Sequence, residues 1–345
     1  LEHTVSLRET LPRLRAMWSS QLELGLSVEA KVRRMVGRDE GTTQSRSRFG
    51  WITPDLVACG DGRPGARSGR VVAVYGNSFA KRLGEAIESV APDVVVCQVT
   101  APLATQSWAF AAWQEAHDRI DADVDVFTVT SGRVLYTASM SPMVHLAQPY
   151  VYFNPRYRLD SERLTRIDPV IQTLEDLRIA LYSDATLWRR QRQQLADHDP
   201  FFDPFVFDAS VFDRLALTCI ARRVRSKLTR HRASRRVLGR SGFRDESEEI
   251  GLIRAMIGEF ARVSRECQRT PIVCLVSLLG HGTRLQRAVE EVVHSENVPT
   301  VSSHEICPPN DASCFFGENG HFTRSKDIEI ARAVLSLADR HRTLS

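Results

Sequence analysis

The stretch RVVAVYGNSFA, residues 70–80, decides the fold of this chain. Val71–Tyr75 is an apolar, largely β-branched run that predicts a buried strand, and Gly76 allows the chain to turn sharply after it. Helical spacing then predicts a helix that starts near Ser78. Ser78 would therefore lie at the carboxyl edge of a sheet, where open α/β folds bind ligands, with its N–H among the free donors of a helix N-terminus. The apolar residues at helical spacing are Phe79, Leu83, Ala86 and Ile87.

Taken alone, Ser78 can equally be a helix N-cap, because serine is a favoured capping residue. A second stretch, GENGHFT at residues 317–323, makes a catalytic role the better interpretation. It places Glu318 three residues before His321, and a pattern typical of a helix follows at once. A nucleophile, an acid and a base are the three groups that acyl transfer at a serine needs.

The two stretches resemble the SGNH/GDSL hydrolase superfamily. Gly76-Asn77-Ser78 is similar to the first block of that family, with Asn77 where aspartate is more usual, and residues 318–321 are similar to its last block, with Glu318 in place of aspartate. The resemblance is closest to bacterial members that carry a long insertion. It implies a doubly wound, three-layer αβα fold with a parallel, flavodoxin-like sheet.

The resemblance also implies the roles of the site residues. Ser78 is the nucleophile, His321 the general base and Glu318 the group that orients the imidazole. The oxyanion hole is formed by the backbone N–H of Ser78 and by Gly132. No cofactor and no metal ion are needed for this chemistry.

The sequence departs from the family at two oxyanion positions. No asparagine follows Gly132, and no glycine follows Val99 in the loop after the second strand. Thr100 or Ala101 could supply the second backbone N–H, and Arg133 or a residue of the insertion could replace the asparagine. Loss of one oxyanion donor lowers a rate by roughly 10²–10³.

Alternating strand and helix patterns run through most of the chain and predict a parallel sheet. After the first strand, further strands are predicted over 93–99, 125–130, 271–276 and 298–301. Four parts follow from this pattern: an N-terminal helical arm and loop over 1–48, the first half of the α/β domain over 49–136, an insertion over 137–245, and the second half over 246–345.

The insertion is rich in aromatic residues and proline. The aromatic side chains of residues 149–157 and 201–205 either line a substrate cleft or fill a small core of the insertion, and the second is commoner for any single residue. His198 lies between Asp197 and Asp199, which suggests a metal ligand or base, although a solvated turn is the more usual outcome.

A basic run extends from Arg222 to Arg240 and contains nine lysines or arginines. Because no acidic residue occurs between Asp213 and Asp245, the run could meet an anionic membrane surface or an acidic glycan, or it could be an exposed helix end. No aromatic residue is interleaved with these charges, so nucleic acid is not an expected partner.

Composition is that of an ordinary globular protein of 345 residues, with 43% hydrophobic residues, 26% charged residues and a net charge of +4. No segment is apolar over a membrane-spanning length or resembles a signal peptide. The seven cysteines are odd in number and are best explained as buried free thiols, which predicts a cytoplasmic location. Cys307 and Cys314 are close enough in sequence to be bridged. Because the sequence begins at Leu1 rather than methionine, targeting is left open.

The function expected from these residues is that of a serine esterase or deacylase. The resemblance to bacterial proteins of surface-polysaccharide pathways implies an acylated carbohydrate, or another small ester, as the substrate. Two alternatives remain: an O-acyltransferase of a surface polysaccharide, and a catalytically degenerate glycan-binding protein on the same fold. The N-terminal arm is a candidate surface for self-association.

Overall fold

The strands and helices of this computed structural model alternate along the chain. It describes residues 22–37, 58–59, 69–141, 152–161, 163–316 and 320–342, so most of the predicted arm over 1–48 lies outside the described residues. The strands are β1 Ala58–Cys59, β2 Val71–Gly76, β3 Val95–Thr100, β4 Val124–Thr130, β5 Arg156–Asp160, β6 Arg163–Ile167, β7 Thr270–Val276, β8 Thr300–Ser302, β9 Phe315–Phe316 and β10 His321–Phe322.

The helices cover both faces of the main sheet and form most of the insertion. They are α1 Val28–Gly37, α2 Ser78–Val90, α3 Gln106–Ala116, α4 Leu174–Tyr182, α5 Ala185–His198, α6 Pro204–Phe207, α7 Ala216–Val237, α8 Glu248–Glu266, α9 Arg284–Ser295, α10 Ser303–Ile306 and α11 Arg324–Arg342. Short 3₁₀ turns follow β4 at Ser131–Tyr136 and precede α7 at Val211–Arg214.

The main sheet has six strands in the order β1-β3-β2-β4-β7-β8. Every neighbouring pair is parallel except β1 with β3, which is antiparallel at the edge. The five parallel strands therefore run in the chain order 2-1-3-4-5, which is a doubly wound order. The prediction of an α/β fold with a parallel sheet is confirmed, and the observed strands differ from the predicted ones by only one or two residues at most ends.

Alternation along β2 explains why helices cover the sheet on both sides. Val72 and Val74 point into a core shared with α2 and α11, whereas Ala73 and Tyr75 point into a core shared with α3, α8 and α9. All four side chains are fully buried. A strand buried on both faces reads as a continuous apolar run, which is why residues 71–75 show no polar alternation.

The order of the strands sets the place of the site. The chain leaves β2 toward β3 on one side and returns to β4 on the other, so β2 and β4 flank the switch point of the sheet. Ligands of open α/β folds bind in the crevice at the carboxyl ends of such strands. Ser78 follows β2 and Gly132 follows β4, so both lie at this edge.

The aromatic side chains of the insertion extend the core of the α/β domain. The Tyr157 ring lies 5.3 Å from the Phe110 ring of α3, and the Trp188 and Phe207 rings stack at 5.6 Å. The core-filling interpretation therefore holds for these residues, and the cleft interpretation is wrong for them. Six aromatic residues of the insertion are buried: Tyr152, Phe153, Tyr157, Trp188, Phe201 and Phe207.

The Asp197-His198-Asp199 segment is neither a metal site nor a solvated turn. Asp199 is buried and accepts hydrogen bonds from the backbone and hydroxyl groups of Ser141 and from the Ser139 hydroxyl. His198 contacts the Arg158 guanidinium at 2.9 Å. Within the described ranges, no group of three or more histidine, cysteine, aspartate or glutamate residues could hold a metal ion.

The cysteines divide into two kinds. Cys97 is disulfide-bonded, so its assignment as a buried free thiol was wrong; its Cα partner in the ladder is Cys59. Five other cysteines are free thiols, and Cys307 and Cys314 are among them, although their thiols contact each other. The free thiols are Cys219, Cys267, Cys274, Cys307 and Cys314.

In the part of the chain that the structure describes, no helix is both long enough and apolar enough to cross a bilayer.

Candidate active site

The turn between β2 and α2 requires glycine at its first position. Gly76 has φ of +155°, a backbone conformation that side-chain-bearing residues rarely adopt. A Cβ there would lie 2.8 Å from the Ala80 Cβ and 3.0 Å from the Thr128 Cβ. The close approach of α2 and β4 to this turn brings the start of the helix directly over the edge of the sheet.

Asn77, rather than Ser78, caps α2. Its side-chain oxygen accepts a hydrogen bond from the Phe79 N–H at 3.0 Å, and Ser78 is the first residue of the helix. The alternative interpretation of Ser78 as an N-cap is therefore wrong. Its hydroxyl is left available for another partner, while its N–H belongs to the first turn, where helical N–H groups have no intrahelical acceptor.

The other end of the Asn77 amide ties the turn to the rest of the edge. Its nitrogen donates to the Thr130 hydroxyl at 3.0 Å and to the Ala104 carbonyl at 3.5 Å. Asn77 is buried, so these donations satisfy a polar group that has little access to water. An ionised aspartate could cap the helix but could not donate to a carbonyl. This accounts for asparagine at a position where the family that the sequence resembles usually has aspartate.

Ser78 and His321 are brought together at the switch point. The Ser78 Oγ and the His321 Nε2 are 2.8 Å apart, which is a hydrogen bond. His321 belongs to the short β9–β10 hairpin, where it pairs with Phe316, and Gly320 before it has φ of +63°. The hairpin thus delivers the imidazole to the start of α2. Glu318 lies outside the described residues, so its role stays a prediction.

Two residues of α2 that sequence reasoning did not assign to the site hold this hairpin. The Phe79 ring stacks on the His321 ring with centroids 4.6 Å apart. The Arg82 guanidinium donates to the Phe322 carbonyl at 3.0 Å, pairs with Asp327 at 2.5 Å and lies 4.7 Å from the centre of the Phe316 ring. Phe79 and Arg82 follow Ser78 by one and four residues, which was the only signal in the sequence.

The surroundings of His321 favour the neutral imidazole. Burial lowers the pKa of His321 below its ordinary value, and the positive charges of Arg82 and Arg133 lower it further. A neutral imidazole can accept a proton from the serine hydroxyl, whereas an imidazolium cannot. The surroundings of His321 therefore favour the form of the imidazole that can accept a proton.

The contacts at the carboxyl edge of the main sheet bear on which residues could donate to an oxyanion. The Ala101 N–H donates to the Gly76 carbonyl at 3.1 Å, so the suggestion that Ala101 supplies an oxyanion donor was wrong. Gly132 lies in the 3₁₀ turn after β4, packed so closely that a Cβ would stand 2.4 Å from the Leu278 Cδ1. Arg133 is the next residue of that turn, and its positive charge contributes to the lowered pKa of His321.

Comparison with known proteins adds no family assignment. The chain matches no protein-family model, and no curated protein is similar enough to count as a relative. The geometry of the site therefore carries the functional argument by itself.

Proposed function

We propose that this protein is a serine esterase or deacylase that acts through Ser78 and His321. The observation that carries the proposal is the 2.8 Å hydrogen bond between the Ser78 Oγ and the His321 Nε2 at the switch point of the sheet. The lowered pKa of His321 supports the role of a base. The resemblance of the sequence to SGNH/GDSL hydrolases remains part of the proposal.

The proposed reaction has two steps. The Ser78 Oγ attacks the ester carbonyl carbon while its proton moves to the His321 Nε2, and the tetrahedral intermediate collapses when His321 returns that proton to the leaving alcohol. The resulting acyl-Ser78 is then attacked by an acceptor hydroxyl, whose proton passes to His321. The bond between the acyl carbon and the Ser78 Oγ then breaks, and His321 gives its proton to that oxygen, which restores the free serine and the neutral imidazole. Glu318 would orient the imidazole and stabilise its charged form.

The charge that develops on the substrate oxygen needs hydrogen-bond donors. The Ser78 N–H at the start of α2 is the donor that the geometry favours, since the helix dipole also stabilises negative charge there. Gly132 is the second proposed donor, and Arg133 is the proposed replacement for the asparagine of the resembling family. This role of Arg133 is supported by its electrostatic effect on His321, whose pKa the positive charge of Arg133 lowers.

The acceptor distinguishes the esterase from the O-acyltransferase. Water gives hydrolysis, and a sugar hydroxyl gives transfer to a surface polysaccharide. An acylated carbohydrate, or another small ester, stays the proposed substrate because of the resemblance alone. The third alternative, a degenerate glycan-binding protein, is opposed by the retained contact between Ser78 and His321.

Covalent labelling with a fluorophosphonate probe tests the proposal. The probe should label the intact protein and should fail to label Ser78→Ala and His321→Ala. The matched control is Ser302→Ala, because the Ser302 hydroxyl also contacts a histidine ring, His304 Nδ1, at 2.6 Å. Labelling that survives in Ser78→Ala, or no labelling of the folded wild type, contradicts the esterase proposal. The rate of acyl transfer to a sugar acceptor is then compared with the rate of acyl release to water. This comparison distinguishes an O-acyltransferase from an esterase.

A cytoplasmic location stays a proposal as well. The free thiols support a reducing compartment, whereas the disulfide at Cys97 supports an oxidising one. Free thiols are blocked at cell lysis, the purified protein is unfolded, and its disulfides are then reduced, so that titration of the newly formed thiols gives the number of cysteines that were oxidised in the cell. A fully reduced protein favours the cytoplasm, and an oxidised pair opposes it.

A further inference from the structure

Helix α7 has large apolar side chains on its outer side, although it also buries apolar residues on its inner side. The buried residues of the inner side are Cys219, Arg222, Ala233 and Val237, and Arg222 is only 2% exposed. Arg222 pairs with Asp213 at 2.6 Å and donates to the Phe205 and Asp208 carbonyls. A surface helix normally buries its apolar stripe and exposes its charges. Here the inner side combines apolar residues with a buried ion pair, and the larger apolar side chains remain outside.

The apolar residues of α7 face outward. Leu217 is 77% exposed, Ile220 44%, Val224 52% and Leu228 47%. Their spacing of three and four residues places them on one side of the helix, and they are called the α7 stripe below. Single exposed apolar residues are ordinary on a protein surface, but a contiguous row marks an interaction site. Three further apolar residues come just before α7 and are all more than half exposed. Val211 and Phe212 belong to the preceding 3₁₀ turn, and Leu215 follows that turn.

Positive charge accompanies the stripe. The sequence has no acidic residue between Asp213 and Asp245. Asp213 pairs with the buried Arg222, and Asp203 pairs with Arg225, whose side chain is 52% exposed. The outer surface therefore combines aliphatic side chains with an excess of cations. Besides Arg225, the exposed cations of the run are Lys227, Arg230, Arg232, Arg235, Arg236 and Arg240.

We propose that α7 docks on an anionic lipid surface, with the α7 stripe inserted at the level of the headgroups and the cations beside the lipid phosphates. Aliphatic and aromatic residues next to lysine and arginine are typical of interfacial helices, and long basic side chains can keep their charge in the headgroup layer while their stems stay apolar. The proposal does not depend on the reaction proposed for Ser78.

Two other occupants fit less well. A second copy of α7 would bring two sets of like charges together, which is unfavourable at an interface. A protein partner is expected to engage tryptophan or tyrosine anchors, which dominate binding energy at protein interfaces, and residues 216–237 contain neither. A lipid surface needs no such anchors and matches the sign of the charge.

Cosedimentation with vesicles tests this proposal on the full chain. We expect binding to vesicles that contain phosphatidylglycerol, weak binding to pure phosphatidylcholine, and a decrease in binding as salt rises. The variant Leu217→Gln/Val224→Gln/Leu228→Gln should lose binding without loss of thermal stability, because its side chains are already exposed. The variant Lys227→Gln/Arg232→Gln/Arg235→Gln should bind roughly a hundredfold more weakly, about fivefold per charge.

The matched charge control is Arg163→Gln/Arg190→Gln/Arg262→Gln, which removes three exposed cations from β6, α5 and α8. It should bind as the wild type does. Equal binding to both vesicle types, an equal loss in the control, or full binding by either α7 variant overturns the proposal. A lipid-free dimer that the stripe variant dissociates would assign the surface to a second copy and would overturn it too.

Discussion

The Ser78 hydroxyl and the His321 imidazole are 2.8 Å apart, although they are 243 positions apart in the chain. The contact depends on α2 at one end and on the β9–β10 hairpin at the other. Arg82 joins these elements, because it lies on α2 and donates to the Phe322 carbonyl of the hairpin. The geometry of the pair is thus maintained by groups that take no direct part in the proposed reaction.

The proposed reaction should keep its activity below the ordinary pKa of histidine. Since only neutral His321 can accept the Ser78 proton, a lowered pKa extends the active form to lower pH. We expect the acid limb of kcat/KM against pH to have an apparent pKa below 6.5, the ordinary value. A limb at or above that value would contradict the lowering of the His321 pKa by burial and the two arginines, and activity without an acid limb would contradict the assignment of His321 as the base.

Arg82→Gln should move that limb upward, because it removes one of the positive charges that lower the pKa of His321. It should also lower kcat by up to about 10²-fold as the hairpin loses its tether. Arg82→Lys keeps the charge but not the fork of donors, so kcat should fall while the limb moves little. The control is Arg324→Gln, an exposed cation at the start of α11, which should leave the limb in place.

Phe79→Leu should weaken catalysis more than stability. The substitution conserves an apolar side chain, so the free energy of unfolding should fall by less than about 1.5 kcal/mol. The flat ring on which His321 stacks is lost, so the imidazole should be less well aligned, and kcat should fall by roughly tenfold or more. Single-turnover acylation and urea unfolding measure the two effects. An unchanged acylation rate would exclude an orienting role for Phe79.

Asn77→Asp should destabilise the protein even though aspartate is as good a helix cap as asparagine. The carboxylate can still accept from the Phe79 N–H, but it cannot donate to the Thr130 hydroxyl or the Ala104 carbonyl. A loss of about 1–3 kcal/mol in the free energy of unfolding is expected from urea denaturation. Asp184→Asn is the matched exchange, because Asp184 is an exposed cap of α5, and it should change stability by only a few tenths of a kcal/mol.

Arg222→Ala should destabilise the insertion, because it removes the cation paired with Asp213 and the donor to two backbone carbonyls, although Ser27 and Ser210 still donate to Asp213. Breaking a buried ion pair costs roughly 3–5 kcal/mol. Arg235→Ala removes an exposed cation from the same helix and should change the free energy of unfolding by no more than about 0.5 kcal/mol. Similar unfolding midpoints for the two variants would show that the pair does not anchor α7.

Local patterns in the sequence predicted the elements that carry the site. The run at 71–75 could be recognised as a strand because strands buried on both faces are continuously apolar, and the run at 125–130 because it is rich in β-branched and aromatic residues. Ser78 could be placed at a sheet edge because a helical period begins there. The cap could not be assigned, since both Asn77 and Ser78 are favoured capping residues and only the observed hydrogen bond distinguishes them.

Long-range contacts were beyond such patterns. The stacking of Phe79 on His321 and the tether from Arg82 to Phe322 join residues more than 200 positions apart. The outward direction of the α7 stripe was also hidden, because apolar spacing alone does not show which side of a helix packs on the protein. Cys97 looked like a buried thiol because its neighbours are apolar, and only the pairing of strands brought a second cysteine opposite it.

By itself, the sequence determined the strand–turn–helix at Ser78, the parallel sheet and the residue types needed for acyl transfer. These depend on interactions between near neighbours, and periodicity records them. The tertiary structure decided that Asn77 caps α2, that His321 meets Ser78, and that Arg222 rather than the α7 stripe faces the core. Those outcomes depend on which surfaces pack together, and packing joins groups that no local period connects.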